Sequence, residues 1–225
     1  MADLIDTGEM YLKTVYELEE EGIPPLRARI AERLDHSGPT VSETVNRLAR
    51  DGLLVIGPNR RIELTVAGRR KATEVMRKHR IAERLLIDVI GMDWEYAHEE
   101  ACRWEHVMSD RVAEKLDVIL GHISHDPYGN PIPSAAEGPG DLAAEESGLI
   151  ALADVDSDRF TATLRRIAEP LQVDVELLSR LKAAGVVPGV EISVEKMPQG
   201  LAITGSKGML EQLGDAVGKH LFIDR

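Results

Sequence analysis

Several signatures are missing from this chain, and each absence narrows what it can be. Cysteine occurs once in 225 residues, at Cys102, so no internal disulfide can form, and a free thiol suits a reducing cytoplasm. The first ten residues have neither a basic n-region nor an apolar h-region, which argues against a signal peptide. No uninterrupted apolar run approaches membrane-spanning length, and no membrane partner is expected. There is no HExxH, no glycine-rich phosphate loop and no Ser–His–Asp arrangement with supporting spacing. An enzyme with a small-molecule substrate therefore has little to rest on. Internal repeats are absent as well.

An overall positive charge is also missing. The net charge is -12, ordinarily unfavourable for a partner built on phosphate. The average conceals a strong asymmetry. Residues 26–80 carry 13 Lys and Arg against 6 Asp and Glu, a balance of +7, whereas the rest of the chain stands at −19. A basic block inside an acidic chain is expected when one module meets a polyanion and the others do not.

That block has a recognisable pattern. Residues 4–20 read as a helix with Leu4, Tyr11, Leu12, Val15, Tyr16 and Leu18 on a broad apolar face, stopped by Gly22, Pro24 and Pro25. A short helix from Leu26 to about Arg33 follows. After the turn Asp35–Gly38, Pro39 opens a third helix running to about Asp51, with Val41, Val45 and Leu48 inward and Thr40, Glu43, Thr44 and Arg47 outward. Two β-prone runs, Leu53–Ile56 and Ile62–Thr65, then flank Gly57-Pro58-Asn59-Arg60-Arg61. Helix, turn, helix and hairpin make a winged helix-turn-helix, whose arginines reach phosphates. The chain divides into residues 1–71, a winged DNA-binding domain, and 72–133, a helical domain. Residues 134–150 form a small, acidic, flexible linker. Residues 151–225 form a small, mostly β, barrel-like domain with strands near 160–167, 190–196, 201–204 and 220–223 and a helix over 174–184. The fold class is mainly α with a small β part.

The helical domain carries donor stripes. A helix read from Trp94 to Leu120 places His98, Cys102, Glu105 and His106 at i, i+4, i+7 and i+8. A preceding helix, about Ala72 to Ile90, places His79 and Glu83 at i, i+4. Thiolate and imidazole suit iron, cobalt, nickel or zinc over magnesium or calcium. Cys102, Glu105 and His106 supply three ligands, and His98 is better placed to join His79 and Glu83, so two sites are expected rather than one.

The stretches MYLKTVYELEEEGIPPLRARIAERLDHSGPTVSETVNRL, VMRKHRIAERLL, EEACRWEHVMSD and YGNPIP resemble the diphtheria toxin repressor family, in particular its actinobacterial iron-dependent regulators. The similarity is dense from Met1 to about Pro133 and thin beyond the linker. It implies an iron(II)-activated repressor of iron-homeostasis genes that binds a palindromic double-stranded operator as a homodimer, with an SH3-like C-terminal domain. It implies a regulatory site of Met10, Cys102, with its carbonyl, Glu105 and His106. It implies an ancillary site of His79, Glu83 and His98, completed by Glu169 and Gln172. Mn, Co, Ni or Zn could substitute for Fe(2+) in vitro. Met10 and Cys102 form a soft pair that suits Fe(II), where manganese-sensing relatives carry carboxylates.

The resemblance further implies that Ser37, Pro39 and Thr40, with Ser42 and Glu43 on the same helix, approach the groove, and that Arg27, Arg29, Arg47, Arg50 and Arg60 meet phosphate. It also implies a rearrangement near Leu4 on metallation. Leu85, Leu86, Ile90 and Trp104 are expected in the dimer core. Two departures stand out. Glu43 replaces the usual glutamine, which changes the bases it can accept from, and Asp126 replaces a serine of an anion-binding set with Arg80 and Asn130. The rival readings are a manganese-responsive regulator of the same fold, a zinc-dependent hydrolase with an appended DNA-binding module, and a metal-independent DNA-binding protein.

Overall fold

The computed structural model describes residues 6–134, 148–198, 200–208 and 210–224. Leu4 and most of the expected linker lie outside the described residues. Helix α1 (Thr7–Glu20) begins where the Asp6 carboxylate accepts from the Gly8 and Glu9 amides. Helices α2 (Arg27–Leu34) and α3 (Gly38–Arg50) follow, with Ser37 capping α3 through the Thr40 amide and Pro39 in its first turn. Strands β1 (Leu54–Ile56) and β2 (Ile62–Leu64) pair antiparallel, Leu54 opposite Leu64, around a tight turn. Asn59 and Arg60 adopt φ of 58° and 64° in that turn, a conformation asparagine tolerates more readily than arginine. Tyr11, Leu12, Val15, Tyr16, Ile30, Val41, Val45 and Leu48 fill the core of this unit. Thr44, expected on the polar face of α3, is buried, because the inward stripe widens to include it beside Val41 and Val45.

Helix α4 (Val66–Leu85) joins two cores. Ala72 and Met76 complete the winged core, and Ala82 and Leu86 belong to a second one with Ala97 and Ala101. Its start is wedged against the wing: a Cβ on Gly68 would lie 1.7 Å from the Leu53 carbonyl oxygen. A π-helical turn, Leu86–Ile90, extends it to Gly91 at φ 76°. Leu86 is therefore spent inside the subunit rather than at a dimer surface. Ile90 and Val89 are exposed, and Leu85 and Trp104 are half-buried.

The single helix expected over 94–120 is two helices, α5 (Ala97–Trp104) and α6 (Asp110–Ile119), after a 3-10 turn at Trp94–Tyr96. The Ser109 side chain accepts the Val112 amide and starts α6 afresh, and the Val107 and Met108 amides return to Trp104 O. Helix propensity through Glu105–Met108 loses to this local cap.

Among the described residues from 148 on, a six-stranded antiparallel sheet runs in the order β3-β8-β4-β5-β6-β7. Its strands are β3 (Leu149–Ala151), β4 (Arg159–Ile167), β5 (Glu191–Met197), β6 (Gly200–Thr204), β7 (Leu210–Leu213) and β8 (Leu221–Asp224). Two helices accompany it, α7 (Glu169–Gln172) and α8 (Val175–Ala184). β4 pairs with β5 over 159–163 and with β8 over 164–167, with a register shift between Leu164 and Arg166. That bend curls the sheet around Leu164, Leu178, Leu181, Ile192, Ile203 and Leu221 in an SH3-like manner. β3, β7 and α7 have no counterpart in the sequence reading, and β3 takes up the last two residues of the expected linker.

The sheet unit is not loosely tethered. Tyr128, from the loop before the linker, is fully buried in the sheet core beside Trp94. Its hydroxyl donates to Trp94 O at 2.7 Å, and Trp94 Nε1 donates to Pro127 O at 3.2 Å. Gly129, at φ 87°, lets Arg165 O approach to where a Cβ would sit.

Candidate metal centre and nucleic-acid face

Docking of the sheet unit on α1 and α4 turns charged residues inward. Lys13, Glu17 and Glu20 of α1, His79, Arg80 and Glu83 of α4, His98 of α5, Glu105, and Glu169 and Gln172 of α7 are all buried. Charges in such a setting must be paired. The His79 and His98 rings meet edge to face, with centroids 4.8 Å apart. His79 Nε2 and His98 Nδ1 lie 2.8 and 3.1 Å from the same Glu83 oxygen. His79 Nδ1 lies 2.6 Å from Glu105 Oε2, and His98 Nε2 lies 3.6 Å from Cys102 Sγ. Every imidazole nitrogen thus faces a carboxylate or the thiol.

The protonation states follow. Burial and Lys13 oppose a charge on His79, yet Glu83, Glu169 and Glu105 raise it well above the usual imidazole range. Burial likewise opposes a charge on His98, but Cys102 and Glu83 hold it up at about 10. Burial would raise the Cys102 thiol; Lys13, His98 and His79 outweigh it and bring it to about 5. His106 is held at about 9 by hydrogen bonds to Glu105 and Glu9, its Nδ1 lying 2.9 Å from Glu9. Burial works against the Glu83 charge, but His79 and His98 keep its carboxyl well below its usual range. At neutral pH the cluster is a set of anionic donors balanced by protons and one lysine.

Two donor sets were expected, and the structure interleaves them. Met10, Cys102, Glu105 and His106 border one cleft of about 770 Å³, together with His98 and Glu169. His79, His98 and Cys102 offer ligand atoms within 4.8 Å of one another. Glu105 of the first set touches His79 of the second, and Cys102 touches His98. Glu169 Oε2 stands 3.6 and 3.7 Å from His79 and His98. Gln172 donates its Nε2 to Ile167 O. Three buried oxygens of the second set, Glu83 Oε2, Glu169 Oε2 and Gln172 Oε1, have no hydrogen-bond partner. Unpartnered buried acceptors among imidazoles and a thiolate fit a divalent cation of the borderline-soft kind.

The surrounding residues escape a reading by spacing. Lys13, Glu9, Glu17 and Glu20 look like the solvated side of an amphipathic helix. Arg80 is fully buried, its guanidinium bonded to both Glu20 oxygens at 2.9 and 2.6 Å and facing Glu169 at 3.4 Å and Asp126 at 3.8 Å. Asp126 in turn accepts from the Tyr128 and Asn130 amides and from Asn130 Nδ2. Asp126 therefore faces Arg80 with a carboxyl that burial and Glu83 push well above its usual range, in spite of the guanidinium.

On the winged unit, Ser37, Pro39, Thr40, Glu43, Arg47 and Arg50 are exposed along α3, Ser42 is half-buried, and Arg60 is exposed at the wing tip. Arg27 donates to Asn46 at 2.9 Å, tying α2 to α3. Arg29 pairs with Glu32 at 2.9 Å and borders the large cleft. Glu43, Arg47 and Arg50 project from one helix face at i, i+4 and i+7, the geometry of a groove-reading helix.

Comparison with known proteins adds a family. The model described as "Iron dependent repressor, N-terminal DNA binding domain" matches residues 3–62, and "Iron dependent repressor, metal binding and dimerisation domain" matches residues 65–134. The iron-dependent repressor IdeR of Mycobacterium leprae (strain TN) is 53% identical over 207 residues, 90% of each chain. The diphtheria toxin repressor of Corynebacterium efficiens is 48% identical over 226 residues, 100% of this chain and 98% of that one. Among solved structures, a manganese-dependent transcriptional repressor in complex with manganese superposes with a TM-score of 0.79 at 28% identity, covering 97% of this chain and 99% of that one.

Proposed function

This chain belongs to the iron-dependent repressor family and is a metal-dependent transcriptional repressor; on that premise we propose that iron(II) is its activating ion and a palindromic operator its target. The observation that carries the reading is the position of the donor cluster. It lies at the joint where α1 of the winged unit meets α4, α5 and α7, with three buried acceptor oxygens unpartnered. Met10, Cys102, Glu105 and His106 would hold one ion, and His79, Glu83, His98, Glu169 and Gln172 a second. When bound, the ion supplies a cross-link between donors on separate helices.

The chain's own residues do the rest. Cys102 is already thiolate at neutral pH, so it is ready to ligate without losing a proton. Glu105 and His106 sit past the end of α5, where their side chains meet Lys13 and Glu9 of α1. Fixing α1 there fixes α2 and α3, which share its core. Two copies joined through the exposed apolar residues near Val89, Ile90 and Val107 then present their α3 helices one duplex turn apart. Metal and DNA binding are linked through that shared state, each favouring the other by the same factor. Residues 1–71 read DNA, 72–133 dimerise and bind metal, and 151–225 lend Glu169 and Gln172.

The soft Met10–Cys102 pair favours Fe(II) over Mn(II), against a manganese-responsive role like that of the structural neighbour, with Co, Ni or Zn able to substitute in vitro. The protein would work in the cytoplasm. The test is anaerobic binding of the full chain to a palindromic iron-box duplex with Fe(II), Mn(II) or chelator. Binding that requires metal and is tightest with Fe(II) supports the reading; equal binding in chelator overturns it.

A further inference from the structure

One cation in the donor cluster belongs to the protein itself. Lys13 is 6% exposed and enters from α1, one turn beyond Met10. Its Nζ donates to Glu105 Oε2 at 2.8 Å and lies 3.2 Å from His79 Nδ1. Glu17 Oε1 and Glu169 Oε2 stand at 3.9 and 4.0 Å. The ammonium therefore sits between the donor sets, bonded to Glu105 of the first and facing Glu169 of the second, with the His79 ring pressed against it.

We infer that Lys13 is a tethered competitor for metal: its ammonium pairs with a carboxylate of each donor set in the metal-free protein, Glu105 of the first and Glu169 of the second, and must give up one of them before that set can close on an ion. The inference rests on the proposed metal-dependent reading and adds a residue that sets how tightly metal is held.

Three features support it. The contact is buried, so it is poorly screened and the attraction to Glu105 is not dissipated by water. The ligands it touches are shared: Glu105 cannot keep a 2.8 Å bond to an ammonium and give that oxygen wholly to an ion. Retreat is also limited. If Glu105 is taken, the lysine turns to Glu169 and Glu17, and Glu169 belongs to the second set. Occupation of one set thus pushes the lysine into the other, and the two affinities become coupled through a single side chain. Whether the ammonium swings aside or stays beside the ion, it opposes binding, by loss of its pair in the first case and by repulsion in the second.

The test is anaerobic Co(II) titration of the full metal-free chain, followed by d–d absorption and by competition with a fluorescent chelator. Parent protein is compared with Lys13→Met, Lys13→Gln and Lys13→Arg. The two neutral variants should bind Co(II) about tenfold tighter, the size of coupling expected between contacting charged groups. Their metal-free melting temperatures should fall, since Glu105 and Glu169 lose a counter-charge, and Co(II) should restore them. Lys13→Arg, which keeps the cation, should stay within about threefold of the parent. If Lys13→Met does not fold, Lys13→Gln carries the comparison. Neutral variants that bind Co(II) equally or more weakly, while the parent binds normally, overturn the inference. A parent that takes up no Co(II) overturns the metal-dependent reading and the inference with it.

Discussion

Replacing Arg80 with methionine is a stringent trial of how the donor cluster is supported. The side chain is fully buried and ties three segments to α4: both oxygens of Glu20 on α1, Pro131 O and Asp126 in the loop before the linker, and Glu169 on α7. Methionine keeps the length and most of the packing but removes the charge. Glu20 is then buried without its bidentate cation, and Glu169 loses one of the cations around it. Breaking a buried pair from one side costs about 3–5 kcal/mol, because the surviving charge remains desolvated. Against a total stability of about 5–15 kcal/mol, that loss is readily measured. Urea unfolding of the metal-free protein, followed by far-UV circular dichroism, gives the number. Glu20→Gln combined with Arg80→Met removes one stranded carboxylate and should recover part of the loss. A single-variant loss below about 1 kcal/mol, or a double variant no better than the single, refutes the view that Arg80 is the central counter-ion.

Other consequences are as direct. His98 and His106, held at about 10 and 9, carry protons at neutral pH, whereas Cys102, at about 5, does not. Ligation therefore displaces imidazole protons but no thiol proton, so metal affinity should rise with pH between about 6 and 8, by about one decade per pH unit for each proton released. Calorimetry in buffers of differing ionisation enthalpy counts those protons, and a flat profile contradicts the assigned charge states. Arg47→Ala should weaken binding to all duplexes alike and lower the salt slope by about one; a sequence-selective loss would make Arg47 a base reader instead. Gly68→Ala drives a Cβ into the Leu53 carbonyl, and the resulting shift at the wing–α4 junction should cost about 1–3 kcal/mol and reduce duplex binding while metal uptake persists, as parallel titrations would show.

What could be read from the residues divides along physical lines. α3 was legible because two cues agree: Pro39 in the first turn and an inward stripe of Val41, Val45 and Leu48. The wing was legible from Gly-Pro-Asn between two β-prone runs. The break between α5 and α6 was not, since Glu105–Met108 are tolerable helix residues and Ser109 announces a start only once the chain has turned. β3 and β7 are too short for alternation to register, and α7 is a single turn opened by a proline.

The charged interior was the least visible part. Spacing along one helix brings His79 to Glu83 and His98 to Cys102, but Lys13, Glu17, Glu20 and Arg80 look like surface until α7 and the loop before the linker close over them. Such burial is decided by tertiary docking rather than by periodicity. The same docking explains why Glu169, 64 residues beyond Glu105 in the numbering, faces the same histidines.

The central claim is that ligands on α5 control DNA binding by α3 through an ion. It is met most directly by measuring duplex affinity of Cys102→Ala and His98→Ala beside the parent in anaerobic Fe(II), with Arg47→Ala as a DNA-face control. Cys102→Ala should retain its fold and lose Fe(II)-dependent binding, while His98→Ala should need more Fe(II) for the same occupancy. Undiminished Fe(II)-dependent duplex binding by Cys102→Ala would contradict the account.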